Sequence, residues 1–323
     1  MRDREGPCPS RAHPAKGLKA SGHLKLAPGA DAPQPCPEPR DTVPWRGGLE
    51  GPSRSNIARR ALLAAPALLL ARPAAAVTLT ERGLAQGGFV LGRAAPGTRV
   101  ALDGRTLRVT PDGTFAFGFG RDHGASATLA IVHPDNRREE RRLSIARRQW
   151  RVERVNGVPP PQVDMNEAML ARWRAERERW MAALATDSDL TGFADGLMAP
   201  ANGRLSGFFG SQRIFNGQPR SPHYGLDFAV PVGTPIFAAA AGRVTLTADF
   251  ALFGNIIILD HGHGVSTLYA HLSAIEVQDG QMVSQGARVA RSGATGRVSG
   301  PHLHFSLTWQ QTFLDPQPVV MPA

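Results

Sequence analysis

Short apolar runs, broken every few residues by glycine, proline or Asp-Gly pairs, extend over residues 77–150 and again over residues 201–323. Such punctuation is typical of short strands joined by tight turns. The pattern predicts a mainly β protein, with antiparallel sheets in the C-terminal part and a small β-sandwich in the N-terminal part. The chain has 323 residues, which is enough for two domains that each bury a core.

The N-terminal part, residues 77–155, is defined by turn signals and an aromatic alternation. Asp103-Gly104 separates two strand-like runs, and Pro111-Asp112-Gly113 precedes a third. The third run alternates small residues with three phenylalanines, Phe115, Phe117 and Phe119. Period-two spacing places the three rings on one face of a strand, so we predict that they form core rather than a ligand platform.

Residues 156–200 predict a linker followed by one helix. The triple proline at residues 159–161 is typical of an extended linker. A helix is predicted from Asn166 to about Leu184, because apolar side chains recur there on one stripe among Arg and Glu residues. The stripe consists of Met169, Trp173, Trp180 and Leu184. We expect this helix to pack on one of the two domains, and the alternative is that it covers an active-site groove.

Two short runs in the C-terminal part contain the ligand types of a catalytic zinc site. They are His223-Tyr224-Gly225-Leu226-Asp227 and His302-Leu303-His304. Catalytic zinc sites use three nitrogen or oxygen ligands and keep one position for water, whereas structural sites close with four ligands, often thiolates. Residues two apart on a strand face the same side, so both histidines of the second run can point into one cavity. One can then bind metal while its neighbour handles protons.

Around these runs, residues 206–316 resemble a lysostaphin/LytM-type zinc metallopeptidase, a family of peptidoglycan endopeptidases with the duplicated hybrid motif fold. Six pieces carry the resemblance, in order: Ser206-Gly207-Phe208-Phe209-Gly210, the run from His223 to Asp227, Gly233-Thr234-Pro235, Gly254-Asn255, Tyr269-Ala270-His271-Leu272 and Gly300-Pro301-His302-Leu303-His304-Phe305. No position of the family's core motif is missing. This completeness argues against relatives that have lost metal ligands.

The resemblance implies a Zn²⁺ cofactor held by His223, Asp227 and His304, with His271 and His302 as unliganded catalytic histidines. Zinc lowers the pKa of bound water from nearly 16 to about 7 and polarises a scissile carbonyl. The chain has no His-Glu-x-x-His run to supply a Glu base. Histidine is therefore the candidate for proton transfer. We predict His302 as the general base and His271 as the oxyanion stabiliser, an assignment that the sequence leaves reversible.

Other features of the C-terminal part receive structural interpretations. His261 and His263 lie among glycines after an apolar run, which predicts a hairpin turn rather than metal ligands. Residues 277–286 resemble the hairpin of lipoyl and biotinyl carrier domains. Those carriers attach their cofactor to lysine, and the last lysine of this chain is Lys25, so only shared architecture is predicted.

The net charge of +10 suggests a nucleic-acid partner at first sight, but its distribution argues against one. Residues 201–323, the predicted catalytic part, contain 7 Lys+Arg against 6 Asp+Glu. We therefore predict no nucleic-acid partner. The Arg-rich stretch from Arg137 to Arg154 is interpreted as a solvated strand edge. Its alternative is contact with an anionic cell wall or membrane surface.

The N-terminus combines a Pro-rich leader, residues 1–55, with an export signal, residues 56–76. Arg59-Arg60, a following apolar run and Ala74-Ala75-Ala76 form the charged, apolar and small-residue parts of such a signal, and a twin-arginine route is one option. The apolar run is roughly half the length that spans a bilayer, so cleavage rather than a stable membrane span is expected. The leader is interpreted as disordered or as a gene-model extension. Both cysteines, Cys8 and Cys36, fall within it, so the folded part needs neither disulfides nor cysteine ligands.

These observations together predict a periplasmic or secreted zinc metalloendopeptidase that hydrolyses peptide cross-links of bacterial peptidoglycan. Its expected partners are the peptide stems and the cell-wall surface. The alternative is a non-catalytic wall-binding module that regulates another hydrolase, and a third option is a peptidase of secreted proteins. Intact ligands favour the enzyme over the binding module.

Overall fold

The computed structural model of the protein describes residues 76–156 and 167–321. The predicted leader, nearly all of the predicted export signal, both cysteines and the triple proline lie outside the described residues. Those sequence interpretations stay predictions. Neither helix among the described residues combines the length and apolar character that crossing a membrane takes.

The N-terminal part contains seven short strands: β1 (Thr78–Leu79), β2 (Phe89–Arg93), β3 (Arg99–Leu102), β4 (Arg105–Leu107), β5 (Thr114–Gly118), β6 (Ser126–Val132) and β7 (Arg138–Ser144). They form two antiparallel sheets, ordered β1-β2-β5 and β4-β3-β6-β7. Apolar side chains of both sheets join one buried cluster. This is the small β-sandwich that the sequence predicts, and β7, which contains part of the Arg-rich stretch, lies at a sheet edge.

Turn chemistry and aromatic burial in this part follow the sequence prediction. Asp103 and Gly104 connect β3 to β4 with φ of 47° and 80°. Positive φ at both central positions is what a type I′ hairpin turn requires, and Asp-Gly supplies it. The three phenylalanines of the β5 region, Phe115, Phe117 and Phe119, are all fully buried. Their assignment to the core is confirmed.

The second group of strands carries the C-terminal part: β8 (Val152–Val155), β9 (Arg204–Gly207), β10 (Gln212–Phe215), β11 (Gln218–Pro219), β12 (Leu226–Ala229), β13 (Pro235–Phe237), β14 (Gly242–Phe250), β15 (Gly254–Gly262), β16 (Val265–Ile275), β17 (Met282–Val283), β18 (Arg288–Ser292), β19 (Leu303–Trp309) and β20 (Thr312–Leu314). The main sheet runs β17-β14-β15-β16-β19-β12-β9, and its pairs are antiparallel. Strand β8 pairs in parallel with β10, so the N-terminal part ends by joining a sheet of the C-terminal part.

The centre of the main sheet is the long hairpin of β15 and β16. His263 and Gly264 form its turn with φ of 51° and 77°, as the glycine-flanked sequence predicts. Apolar residues on both faces of β15 are buried, because one face packs into the main core and the other packs under the long helix. The predicted strands of this part are present, but β15 and β16 are longer than the apolar runs that indicated them.

The described residues form two α-helices, α1 (Glu167–Leu184) and α2 (Gln317–Val320), and two short 3-10 helices, Glu81–Gly83 and Gly192–Asp195. Helix α1 packs on β14 and β15, with Trp180 edge-on to the rings of Phe253 and Phe313 at 5.9 and 6.1 Å. Domain packing is therefore the observed role. Of the predicted stripe, Trp180 and Leu184 are buried, whereas Met169 is 42% exposed.

In place of that methionine, the buried face of α1 includes a carboxylate. Glu176 is 8% exposed, and both of its oxygens accept the backbone N–H of Ala251 at 3.0 Å. Arg172 donates to the same side chain at 2.6 Å. Burial of a charged group is tolerated only with such partners, and the amphipathic pattern of the helix gives no sign of a partner 75 residues away.

Candidate metal centre

The three predicted ligands occupy two neighbouring strands and one loop. Asp227 lies on β12 and His304 on β19, where they are direct register partners. His223 precedes β12 in a segment without regular structure. Two of the three predicted ligands therefore project from adjacent strands, which hold side chains more firmly than loops do.

The donor atoms of these residues converge within hydrogen-bond distances. Asp227 Oδ1 lies 3.1 Å from His223 Nε2 and 2.9 Å from His304 Nδ1, and the two imidazole nitrogens lie 3.0 Å apart. All three side chains can offer one ligand atom within 4.8 Å of the others. A tetrahedral ion with bonds of about 2.0 Å separates its ligands by about 3.3 Å, which is close to the observed spacing.

Outer hydrogen bonds fix which nitrogen of each imidazole faces the centre. His223 Nδ1–H donates to the carbonyl of Phe208 at 3.2 Å, so Nε2 carries the lone pair. His304 Nε2–H donates to Ser306 Oγ at 3.0 Å, and that hydroxyl donates to the carbonyl of Tyr224 at 2.7 Å. The lone pair of His304 is therefore on Nδ1. Such outer partners orient metal-binding imidazoles.

The arrangement fits Zn²⁺ on the chemistry of its donors. With these tautomers, two nitrogen lone pairs and a carboxylate oxygen face one another with no donor between them. Only a cation or a shared proton satisfies three such acceptors. Two imidazoles and one carboxylate form a three-ligand set of the catalytic type, which leaves a fourth position open.

Two glycines leave room for the ligands. A Cβ on Gly207 would lie 2.0 Å from Asp227 Oδ2, and a Cβ on Gly225 would lie 2.5 Å from His304 Cε1. Both glycines belong to pieces of the sequence that carry the family resemblance. Their function here is close approach of backbone to the metal-binding side chains.

Burial and the mutual charges of the cluster shift the pKa values of its three members in the metal-free protein. Burial alone would raise the pKa of Asp227, but the two imidazoles, which in protonated form donate hydrogen bonds to the carboxylate and attract its charge, hold that pKa well below its ordinary value. Burial lowers the pKa of His304 below the ordinary histidine value. Burial acts in the same direction on His223, yet the hydrogen bond and charge of Asp227 outweigh it and raise the pKa of His223.

The two predicted unliganded histidines lie beside this cluster. The ring centroids of His271 and His302 are 4.8 Å apart, and the ring of His271 is 6.1 Å from that of His304. Each directs Nδ1–H to a backbone carbonyl, of Thr295 and of Gly300 respectively, at 2.9 Å. Both therefore present Nε2 as a proton acceptor, close to the predicted metal ligands.

His271 reaches this place through unusual backbone geometry. Its φ is 62°, a left-handed conformation that a histidine adopts at a cost. The pairing of β16 with β18 is irregular immediately afterwards, between Leu272 and Ala274. The carbonyl of Phe253 accepts the His271 N–H at 2.8 Å. Burial and the neighbouring histidines lower the pKa of His271 to about 4.

The other two C-terminal histidines lie apart from this cluster: His263 is in the predicted hairpin turn, whereas His261 lies in β15 just before that turn. His261 is fully buried, with Nδ1 2.9 Å from the carbonyl of Ala241 and Nε2 2.7 Å from Thr267 Oγ1. His263 forms the hairpin turn and lies beside the ring of Phe193 at 5.0 Å. Neither joins a metal-binding group among the described residues.

The hydrogen-bond acceptors that orient the histidines of the site were not predicted from the sequence. Ser306 follows His304 by two residues on one strand, so alternation could have indicated it. The carbonyls of Phe208, Tyr224 and Thr295 have no side-chain signal at all, because every residue carries a carbonyl. Only folding decides which ones meet an imidazole.

The donor types of this cluster are those of catalytic zinc sites, which are found in zinc-dependent hydrolases. Residues 221–316 match the family model Peptidase family M23. The chain therefore contains a domain of peptidase family M23, and the family resemblance predicted from the six sequence pieces is confirmed.

Individual relatives agree with this assignment. Peptidoglycan DD-endopeptidase ShyA of Vibrio cholerae is 45% identical over 105 residues, which are 32% of this chain and 24% of ShyA. DD-carboxypeptidase/endopeptidase Mpg of Neisseria meningitidis is 40% identical over 100 residues, which are 31% of this chain and 23% of Mpg. The chain thus spans about a quarter of the length of these relatives.

A solved structure extends the likeness beyond the peptidase domain. The crystal structure of a putative peptidase M23 from Pseudomonas aeruginosa is 27% identical, with a TM-score of 0.51. The match covers 73% of this chain and 96% of that chain. A match over 73% of this chain is longer than residues 221–316.

Proposed function

We propose that the protein is an exported zinc metalloendopeptidase that hydrolyses peptide cross-links of bacterial peptidoglycan. The observation that carries this proposal is the convergence of a complete three-ligand set with two unliganded histidines. The names of ShyA and Mpg, which both specify endopeptidases, support the reaction, and the name of ShyA supports the substrate.

The roles of the site residues follow from their geometry. When bound, zinc supplies a Lewis acid for the scissile carbonyl and lowers the pKa of a coordinated water to about 7. His223, Asp227 and His304 would hold the ion. His302 and His271 each present Nε2, so either can accept a proton and later return it to the leaving amine.

The predicted division of labour between the two unliganded histidines stays a prediction. His302 is assigned as the base and His271 as the oxyanion stabiliser. In the metal-free protein burial lowers the pKa of His271 to about 4, so that ring is neutral near pH 7. It also donates its Nδ1–H to a carbonyl. Oxyanion stabilisation by His271 therefore requires that the ring first take up a proton on Nε2.

Export to the periplasm or the medium is part of the proposal. Its support is the sequence Arg59-Arg60, the apolar run that follows and Ala74-Ala75-Ala76, which together have the composition of a signal peptide. We expect protein recovered from the producing cells to begin near Val77. N-terminal sequencing of mature protein tests this, and an uncleaved cytoplasmic chain contradicts it.

The enzyme proposal is tested by digestion of purified cross-linked muropeptides. The expected result is release of monomers that contain a new amine and a new carboxylate, identified by mass spectrometry, with zinc near one per protein. A chelator should abolish the reaction and added zinc should restore it. The His302→Ala variant, which retains every proposed ligand, serves as the inactive control. Binding to muropeptides without hydrolysis by zinc-loaded protein would instead support the wall-binding module, and cleavage of unfolded proteins alone would support a general peptidase.

A further inference from the structure

The third ligand of the metal centre is held differently from the other two. Asp227 and His304 project from paired strands, whereas His223 lies on a loop. Its position depends on residues 208–211, which we name the support loop. The His223 N–H donates to the carbonyl of Ser211 and its carbonyl accepts from Gly210 N–H, both at 2.8 Å. In addition, the ring Nδ1–H of His223 donates to the carbonyl of Phe208, the first residue of the support loop, at 3.2 Å.

The support loop is in turn held by the N-terminal β domain. Trp150 packs edge-on to Phe209, with ring centroids 5.6 Å apart. It also lies against the backbone of Gly210, where a Cβ would come within 2.2 Å of the indole ring. Gly210 has a φ of 79°, which glycine adopts without strain. The indole therefore rests on the loop with no side chain between them.

Two arginines of the N-terminal domain fix the indole in place. The guanidinium of Arg148 lies 4.5 Å from the Trp150 ring and pairs with the buried Asp315 at 2.7 Å. Arg121 lies 5.4 Å from the same ring, and its Nε–H donates to the carbonyl of Gly210 at 3.0 Å. A cation close to the face of an indole ring is attracted by the ring's electrons. The Trp150 ring thus contacts two guanidinium groups as well as the support loop.

The chain immediately after Trp150 reinforces the same contact. The carbonyl of Arg151 accepts the N–H of Gln212 at 2.9 Å, and β8 then pairs in parallel with β10. The indole nitrogen of Trp150 is buried without a hydrogen-bond partner among the described residues. Burying an indole N–H in this way is unfavourable, so the contacts with the support loop and the two arginines must offset that cost.

We propose that Trp150 of the N-terminal β domain is a positioning residue for the metal ligand His223. Through the support loop, the indole sets where Nε2 of His223 stands relative to the other two ligands. The N-terminal domain is thereby part of the frame of the metal site. This inference rests on the proposed zinc function, because it concerns the affinity and geometry of the metal.

The test measures the zinc affinity of the full-length protein by competition with a chromogenic chelator. Trp150→Ala should weaken zinc binding by about 10–100-fold, the range for partners that orient a ligand. Trp150→Phe, which keeps an aromatic ring on Gly210, should restore most of the affinity. The Co²⁺-substituted Trp150→Ala protein should also show a shifted visible absorption spectrum, because one ligand is displaced.

Two controls separate positioning from general destabilisation. Trp173→Ala removes the same residue type from α1 and should leave zinc affinity unchanged. Phe115→Leu lowers the free energy of unfolding from within the N-terminal core, away from the support loop. Urea unfolding of the metal-free variants shows whether this loss of stability equals that of Trp150→Ala. Equal zinc loss in Phe115→Leu and Trp150→Ala overturns the proposal, and so does wild-type affinity in Trp150→Ala. His223→Ala sets the affinity expected when the ligand is lost entirely. If the wild type itself binds no zinc, the proposed function has failed instead.

Discussion

Asp227 and His304 face each other as register partners on β12 and β19, with the carboxylate Oδ1 2.9 Å from the imidazole Nδ1. Directly opposed residues of an antiparallel pair have Cβ atoms about 5 Å apart. The sheet itself therefore brings two of the three proposed metal donors together. The third donor, from His223, requires a loop of its own and that loop's support.

Substitution of Asp227 by Asn should remove zinc while keeping the side chain's shape. The amide is a poor ligand and cannot balance the charge of the ion, so the variant should retain little zinc after dialysis. His223→Ala and His304→Ala should behave in the same way. Metal analysis of the dialysed proteins checks this, with Asp249→Asn on β14 as the control that keeps its zinc. Stoichiometric zinc in all three ligand variants would contradict the ligand set.

Substitution of an unliganded histidine should separate chemistry from metal binding. His302→Ala and His271→Ala should keep zinc and lose a factor of roughly 100 or more in turnover, the usual scale for loss of a general base or an oxyanion donor. Initial rates and zinc content should be measured on the same preparation. His263→Asn, at the hairpin turn, is the control with unchanged rate.

Because the backbone at His271 is left-handed, alanine at this position adds strain as well as removing the imidazole, so a second variant is required. Asparagine tolerates positive φ better than alanine, so His271→Asn removes the imidazole with less strain. Equal losses in His271→Asn and His271→Ala assign the effect to the ring. Full activity in either variant would make His271 structural, and loss of zinc from His302→Ala with retention by His304→Ala would reverse the roles of that pair.

Ser306→Ala should weaken zinc binding by about 10-fold or more, because His304 Nε2–H loses the acceptor that fixes its tautomer. Zinc affinity measured by chelator competition checks this. Ser266→Ala is a matched control: Ser266 is a buried serine on the adjacent β16, and its hydroxyl has no partner among the described residues. Equal affinities of the two variants would show that the Ser306 contact does not orient the ligand.

Acid should destabilise the metal-free protein through His261. Burial lowers the pKa of His261 to about 4 in the folded state, against about 6.5 in the unfolded chain. Between these values the unfolded state binds more protons, so stability is fully present above about pH 6.5 and falls as the pH drops toward 4. Urea unfolding in chelator at pH 7.5, 5.5 and 4.5 measures this loss.

The matched variant for the acid effect is His261→Asn. It should be less stable at pH 7.5, because the bonds to Ala241 and Thr267 are lost, but its stability should fall less steeply between pH 6.5 and 4. His123→Asn, outside the core, should follow the wild-type curve. A His261→Asn curve parallel to the wild type would show that other groups govern the acid response.

Much of the site could be predicted from the sequence because its signals are local. The spacing of His302 and His304 places both rings on one side, and the segment from His223 to Asp227 brings two ligands within one short run. Asp103-Gly104 likewise fixes its turn through conformational preference alone. In each case the residues that carry the signal are neighbours in the chain, so their geometry hardly depends on the rest of the fold.

The tertiary structure decided what no local pattern contains. The burial of Glu176 depends on an N–H 75 residues away, and the orientation of His223 depends on a backbone carbonyl 15 residues earlier. The packing of Trp150 on Gly210 depends on how β8 meets β10. The sequence by itself determined the ligand types, the strand periodicity and the turns, since these follow from side-chain chemistry and backbone preference. The frame around the ligands was decided only by folding, because backbone acceptors are chemically identical at every residue and close packing selects among them.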